Sequence, residues 1–336
     1  MQARNVKILG TGKYLPAERV TAAELESRLG LEAGWVERHS GVMVRHFAGP
    51  ETASEMGAKA AKAALEAAGL NFSDIDCLVG VSGSREQGIP CTAALIQRAM
   101  GQADSGVPAF DIDSTCLSFV VGLDLMADAL QLGRYRRVLL VSSEIASIAL
   151  NWDDKESATI FGDGAAAAVI ARSEANDGSA ILASRMETYS SAAELSQARA
   201  GGSRYHPRRF EGDLASFIDA HCTFEMDGKA IFKLSAQVLP GFVERLLAPT
   251  GLTLDDIHLV VPHQASLAAL WLVQRRLKIP EDRWMVIAPT HGNMIAASIP
   301  TALHEAIQSE RLKRGDRVLL LGTSAGFSVG AVLLEY

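Results

Sequence analysis

Two apolar patterns alternate along the chain, and their order repeats. Residues 54–83, SEMGAKAAKAALEAAGLNFSDIDCLVGVSG, read as an amphipathic helix, a stop at Gly69, a short turn and a buried strand. Residues 235–265, SAQVLPGFVERLLAPTGLTLDDIHLVVPHQA, give the same order. Gly69 and Gly251 stand 182 positions apart, and that offset also pairs Leu70 with Leu252, Asp74 with Asp256 and Ile75 with Ile257. At offset 180, Arg137-Val-Leu-Leu-Val-Ser-Ser matches Arg317-Val-Leu-Leu-Leu-Gly-Thr. Each match follows a helical run, 117–132 or 296–312, and leads to a Gly/Ala-rich strand, 163–171 or 328–335. Several echoes in one order mark an internal repeat. The pattern predicts an α/β chain of two similar halves, 1–172 and 173–336. Strands such as VLLLG are apolar throughout, as helices on both faces of a sheet require. The polar segment 185–220, with Arg204, His206, Arg208 and Arg209, breaks the pattern and reads as a long surface excursion, a lid or binding loop.

Composition narrows the class. At 48% hydrophobic and 21% charged residues, the 336-residue chain is neither disordered nor a coiled coil. Its 32 Lys and Arg against 39 Asp and Glu leave a formal charge of −7, which argues against a nucleic-acid partner. No window approaches about 18 uninterrupted apolar residues, so no membrane-spanning helix and no membrane partner are expected. The opening MQARNVKILGTGKYLP lacks the apolar stretch of a secretory signal. Cys77, Cys91, Cys116 and Cys222 are widely spaced without a C-x-x-C pair, against a zinc site or a disulfide framework. The cytoplasm is the expected location. No metal or redox cofactor is expected either, because the Gly-rich runs lack the phosphate-binding spacings.

Three residues stand out for chemistry. Cys116 follows the strand Phe110–Ile112 and opens a long apolar helix. A thiol there meets unpaired backbone N–H groups and the positive end of the helix dipole, which lowers its pKa and favours the thiolate. A small buried core residue is the alternative. His263, in LVVPHQASLAAL, ends an apolar strand, and Asn293 sits in the turn of APTHGNMIAASIP. Alone, each fits a structural role. The repeat changes that reading: at offset 180 Asn293 falls opposite Asp113, three residues before Cys116, so both lie at the openings of equivalent helices. Pseudo-twofold symmetry would gather Cys116, His263 and Asn293 at one junction, a recognisable nucleophilic constellation.

These motifs resemble the β-ketoacyl-[acyl-carrier-protein] synthase III family of the thiolase superfamily, nearly end to end. The matching blocks are ILGTGKYLP, WVERHSGVMVRH (35–46), FDIDSTCLSF, FGDGAAAAVI (161–170), MDGKAIFK (226–233), VPHQAS with HGNMIAASIP, and SAGFSVGAVLL. The resemblance implies a five-layered αβαβα fold, a homodimer and a Cys116-His263-Asn293 triad. Cys116 would take an acyl group from acyl-CoA. His263 and Asn293 would then promote decarboxylation of a malonyl thioester, on acyl carrier protein, and the carbanion would attack the acyl-enzyme. The backbone N–H groups of Cys116 and Ala325 would hold the oxyanion.

The resemblance also implies a substrate-binding set: Trp35 and Arg45 for coenzyme A, with His39 where the family often has an adenine-stacking Arg, and Lys155, Phe232, Lys233 and Ser266 along the substrate path. Beside His39, Ser118 and Ser266, three more departures from the family pattern bear on the acyl chain and the carrier. Leu117 adds bulk beside the nucleophile and would restrict the acyl chain. Ala268 replaces a basic residue tied to carrier docking. Ile89 stands where an aromatic residue often closes the acyl pocket across the dimer, leaving room for a primer longer than acetyl. Glu86, in the same loop, would be the base in a non-decarboxylative relative. Two alternatives stay open at this point: acyl transfer or non-decarboxylative condensation in a specialised pathway, and a non-catalytic partner subunit.

Overall fold

The computed structural model describes residues 3–174 and 177–336. Among these residues, nine strands form two central sheets. The first holds β1 (Val6–Tyr14), β2 (Cys77–Gly80), β3 (Ala109–Asp111), β4 (Arg137–Glu144) and β5 (Gly164–Arg172), in the order β1-β5-β4-β2-β3. The second holds β6 (Ala180–Thr188), β7 (Leu259–Pro262), β8 (Arg317–Ser324) and β9 (Ser328–Glu335), in the order β6-β9-β8-β7. The two orders are the same order. In each sheet the counterparts β2 and β7 run parallel to β4 and β8; β3 is also parallel to β2, and the remaining pairings are antiparallel. The edge strand β3 is matched in the second sheet only by a parallel bridge between Val260 and Trp284.

Six helices packed on the two sheets complete five layers: α1 (Ala53–Ala68), α2 (Thr92–Ala99), α3 (Ser118–Gln131), α4 (Gly228–Leu247), α5 (Leu267–Leu277) and α6 (Ser298–Gln308). On the outer face of the first sheet, Met56, Ala60 and Ala64 of α1 and Ile96 of α2 pack on Leu78 and Leu139. Leu239 and Phe242 of α4 and Leu270 of α5 pack likewise on Leu319 and Leu321 of the second. Between the sheets, Leu123 and Ala127 of α3 and Ile299 and Leu303 of α6 share one core with Leu140 and Leu320. These side chains are buried, so the central layer binds the halves into one body.

Local chemistry sets the element ends. A capping box between Thr52 and Glu55 starts α1, and Gly69 at φ 65° stops it. The Ala-rich face of α1 lies directly on β1. A Cβ on Gly12 would fall 2.4 Å from Ala60 O and Ala64 N, so only glycine permits this approach.

The excursion has more structure than its polarity suggests. It begins as the last residues of β6, and Ser196–Ala198 later pairs with Phe224–Met226. Between them, Asp213 caps a helix over Leu214–His221 whose Phe217 is buried against Phe210. No described helix is long and apolar enough to cross a membrane.

Candidate active site

The repeat is most exact where the two central helices begin. A 3₁₀ turn, Thr115–Leu117, leads into α3, and another, Ile295–Ala297, leads into α6. Thr115 and Ile295 hold positive φ, 51° and 46°, a strained conformation for non-glycine residues and a common mark of functional turns. Matching hydrogen bonds hold both turns. Ser114 N–H donates to Ser118 Oγ (2.8 Å) and Met294 N–H to Ser298 Oγ (3.0 Å). Thr115 N–H donates to Asp113 Oδ1 and Ile295 N–H to Asn293 Oδ1, each at 2.9 Å.

That last bond has a chemical consequence. With Oδ1 of Asn293 engaged, the side-chain NH₂ is the group left for the adjoining cavity. The Asn293 backbone is fixed as well, donating to Ile160 O at 2.7 Å. His263 follows β7, anchored by its N–H to Leu321 O at 2.8 Å, and the residue is 7% exposed. Ser324, at the end of β8, donates its hydroxyl to Ser114 O (2.8 Å) and so ties the second half to the nucleophile turn. The next residue, Ala325, directs its backbone N–H at the Cys116 sulfur, as does Cys116 its own. Cys116, His263, Asn293 and Ala325 all line one largely apolar cavity of about 370 Å³.

Comparison with known proteins agrees with this geometry. Residues 110–190 match the family described as 3-oxoacyl-[acyl-carrier-protein (ACP)] synthase III, and residues 247–336 match its C-terminal counterpart. The chain is 33% identical over 330 residues to the β-ketoacyl-[acyl-carrier-protein] synthase III of Vesicomyosocius okutanii, covering 98% of both chains. It is 34% identical to the Aquifex aeolicus protein of the same name, covering 98% of this chain and 99% of that one. The chain belongs to the β-ketoacyl-[acyl-carrier-protein] synthase III family. The Aquifex aeolicus synthase III crystal structure superposes with a TM-score of 0.88, over 98% of this chain and 100% of that one. The Pseudomonas aeruginosa synthase III, 28% identical, gives 0.87 over 99% and 98%. Xanthomonas campestris OleA shares the fold at a TM-score of 0.85 and 23% identity, over 99% of both chains.

Within this synthase III fold, three expectations about the site change. The Cys116 thiol is not acidified by its helix. Burial, with the Glu144 carboxylate nearby, pushes it up to about 12, and the two backbone N–H groups only partly oppose this. Leu117 does not border the acyl pocket: it is fully buried and turns into the core beside Gly322 and Gly330. Arg45 is no ligand for coenzyme A, because it is wholly buried and donates to Val42 O and Thr159 O. Burial lowers its pKa to about 10.

The remaining candidates separate by place. Phe232, 40% exposed, and Ser266, which caps α5, line the cavity with the triad. Trp35, His39 and Lys155 form a separate cluster. The Trp35 and His39 rings stack at 3.9 Å, and Lys155 Nζ lies 5.1 Å from the Trp35 ring centre. Trp35 is buried, so the outward member is His39. Lys233 is exposed and outside the cavity lining. Ile89 is 88% exposed and also outside it. Glu86 is also outside the cavity lining, and its carboxylate accepts the Ser54 N–H (2.6 Å) at the start of α1.

Glu144 was missed in the sequence. Wholly buried at the end of β4, it accepts from Gly83 N–H (2.6 Å), Ser84 N–H (2.9 Å) and the Ser84 hydroxyl. The Ala296 N–H also donates to it, from the position that the repeat sets opposite Cys116. One carboxylate thus holds the cavity loop 83–84 against the turn after Asn293. Burial pushes its pKa up to about 8. The only legible signal was its register, since offset 180 sets it opposite Ser324, the other residue that braces the nucleophile turn.

The raised thiol pKa has a direct readout. Alkylation of Cys116 by iodoacetamide, followed by peptide mass, should still climb at pH 10. An ordinary cysteine, with a pKa of about 8.5, levels off sooner. A plateau near pH 7 would mean that the helix dipole prevails over burial.

Proposed function

We propose that the chain condenses an acyl-CoA with a malonyl thioester, carried on acyl carrier protein, to give a 3-oxoacyl thioester. The observation that carries this reading is the arrangement around Cys116: two backbone N–H groups at its sulfur, and His263 and Asn293 on the same cavity wall.

The chemistry follows from that arrangement. His263 takes the thiol proton as the sulfur attacks the acyl-CoA carbonyl. Expulsion of coenzyme A breaks its C–S bond, and the proton passes to the departing thiolate. In the second stage the malonyl C–C bond breaks, CO₂ leaves and the electron pair becomes a thioester enolate. Burial lowers the His263 pKa to about 4, so at neutral pH the ring is an uncharged imidazole. That ring and the Asn293 NH₂ can each donate a hydrogen bond to the enolate oxygen. The enolate carbon attacks the acyl-enzyme, and the tetrahedral oxyanion falls to the N–H groups of Cys116 and Ala325. Collapse breaks the bond to Sγ, and the sulfur regains a proton through His263. The sum is acyl-CoA, malonyl thioester and one proton in; 3-oxoacyl thioester, CO₂ and coenzyme A out.

The coenzyme A nucleotide would lie on the outward face of His39, with Lys155 beside it for phosphate. Lys233 would meet the acidic carrier. The reading includes a homodimer that covers the exposed Ile89, works in the cytoplasm and needs no cofactor. Incubation with acyl-CoA donors should add one acyl group per chain, mapped by peptide mass to Cys116. No adduct with any donor would favour a non-catalytic partner subunit.

A further inference from the structure

The cavity does not stop at the triad. It continues into the layer between the second sheet and its outer helices, where Leu239, Trp284 and Phe327 are each 2% exposed yet border it. Ser235 on α4 and Ala269 and Val273 on α5 complete this arm, and the small Ser235 and Ala269 leave the space open.

Two substrate segments compete for such a space: the acyl chain and the pantetheine of the thioester. Of the six side chains named, only Ser235 and Trp284 carry a polar atom. Pantetheine has two amides, and burying them there would leave most of their hydrogen-bonding groups unpaired. An alkyl chain loses nothing and gains about fourfold in binding for each CH₂ buried. The mouth side of the same cavity has what pantetheine needs, with Ser196, Gln197 and Ser266 in its wall. Ile89 borders neither part.

We propose that the arm between α4, α5 and the second sheet receives the alkyl chain of the acyl donor, making the synthase selective for medium or longer chains over acetyl. This rests on the acyl-enzyme reading above. It moves the chain-length determinant from the loop at Ile89 to Ser235 and Ala269.

The test is competition between acetyl-CoA and octanoyl-CoA for Cys116, read by intact mass of the full chain. The wild type should carry the octanoyl adduct in excess by about tenfold or more. Ser235→Leu and Ala269→Leu fill the arm, and each should lower that ratio about tenfold. Two variants are used so that misfolding of one leaves the other informative. A ratio that stays put in both overturns the proposal, as does acetyl preference in the wild type. A ratio that falls in Ile89→Trp but not in the arm variants overturns it too. No adduct with either donor is a different failure, since it removes the acyl-enzyme on which the proposal rests.

Discussion

Cys116→Ala should show no acyl adduct with any acyl-CoA and should lose condensation by about 10⁴-fold or more. The reason is structural as much as chemical. Cys77 is fully buried, and Cys91 and Cys222 do not line the cavity, so no other described thiol can replace it. Decarboxylation of the malonyl thioester should survive, because the variant leaves His263 and the Asn293 amide in place. Product-free CO₂ release, measured beside intact mass, would show the two stages uncoupled. An adduct on the variant would place the nucleophile elsewhere.

Asn293 carries the second large effect. Asn293→Ala should reduce condensation by about 10²–10³-fold, the usual cost of one lost oxyanion donor. Acylation by acyl-CoA should fall far less, since no enolate forms in that stage. Alanine also removes the acceptor for Ile295 N–H, so a loss of the turn could imitate a loss of the donor. Asn293→Asp separates these effects: it keeps the acceptor and replaces the donating NH₂ with a carboxylate oxygen. Equal loss in both variants, with acylation intact, assigns the effect to the donor. Near-normal condensation in the aspartate variant would mean that Asn293 serves only its turn.

The repeat is what made Cys116, His263 and Asn293 readable in the sequence as one cluster, and all three line one cavity. Single residues such as His263 and Asn293 carry no chemistry on their own. The 180-residue offset placed Asn293 at a helix opening equivalent to that of Cys116, and the structure shows matching bonds at both turns. What the sequence misjudged were properties of burial. Arg45 and Leu117 were read by position along the chain, whereas both are enclosed by their neighbours and reach no ligand. The helix-dipole argument for Cys116 was correct in sign, but the desolvation of a buried thiol beside Glu144 exceeds it. Glu144 escaped notice because a carboxylate after an apolar strand looks like a solvated strand end. Its backbone donors come from loops 60 and 152 positions away. The polar excursion was legible as an interruption, but its contribution to the cavity wall through Ala192, Leu195, Ser196 and Gln197 was not. Those contacts depend on how the returning strand pairs.

The most direct test of the whole account is carbon balance in one turnover. The enzyme is first acylated with octanoyl-CoA and freed of excess donor, and malonyl-acyl carrier protein carrying a labelled free carboxyl is then added. The account predicts one labelled CO₂ per acyl group lost from Cys116 and one 3-oxoacyl product. Transfer of the acyl group without CO₂, or to an acceptor other than the malonyl carbon, would contradict it.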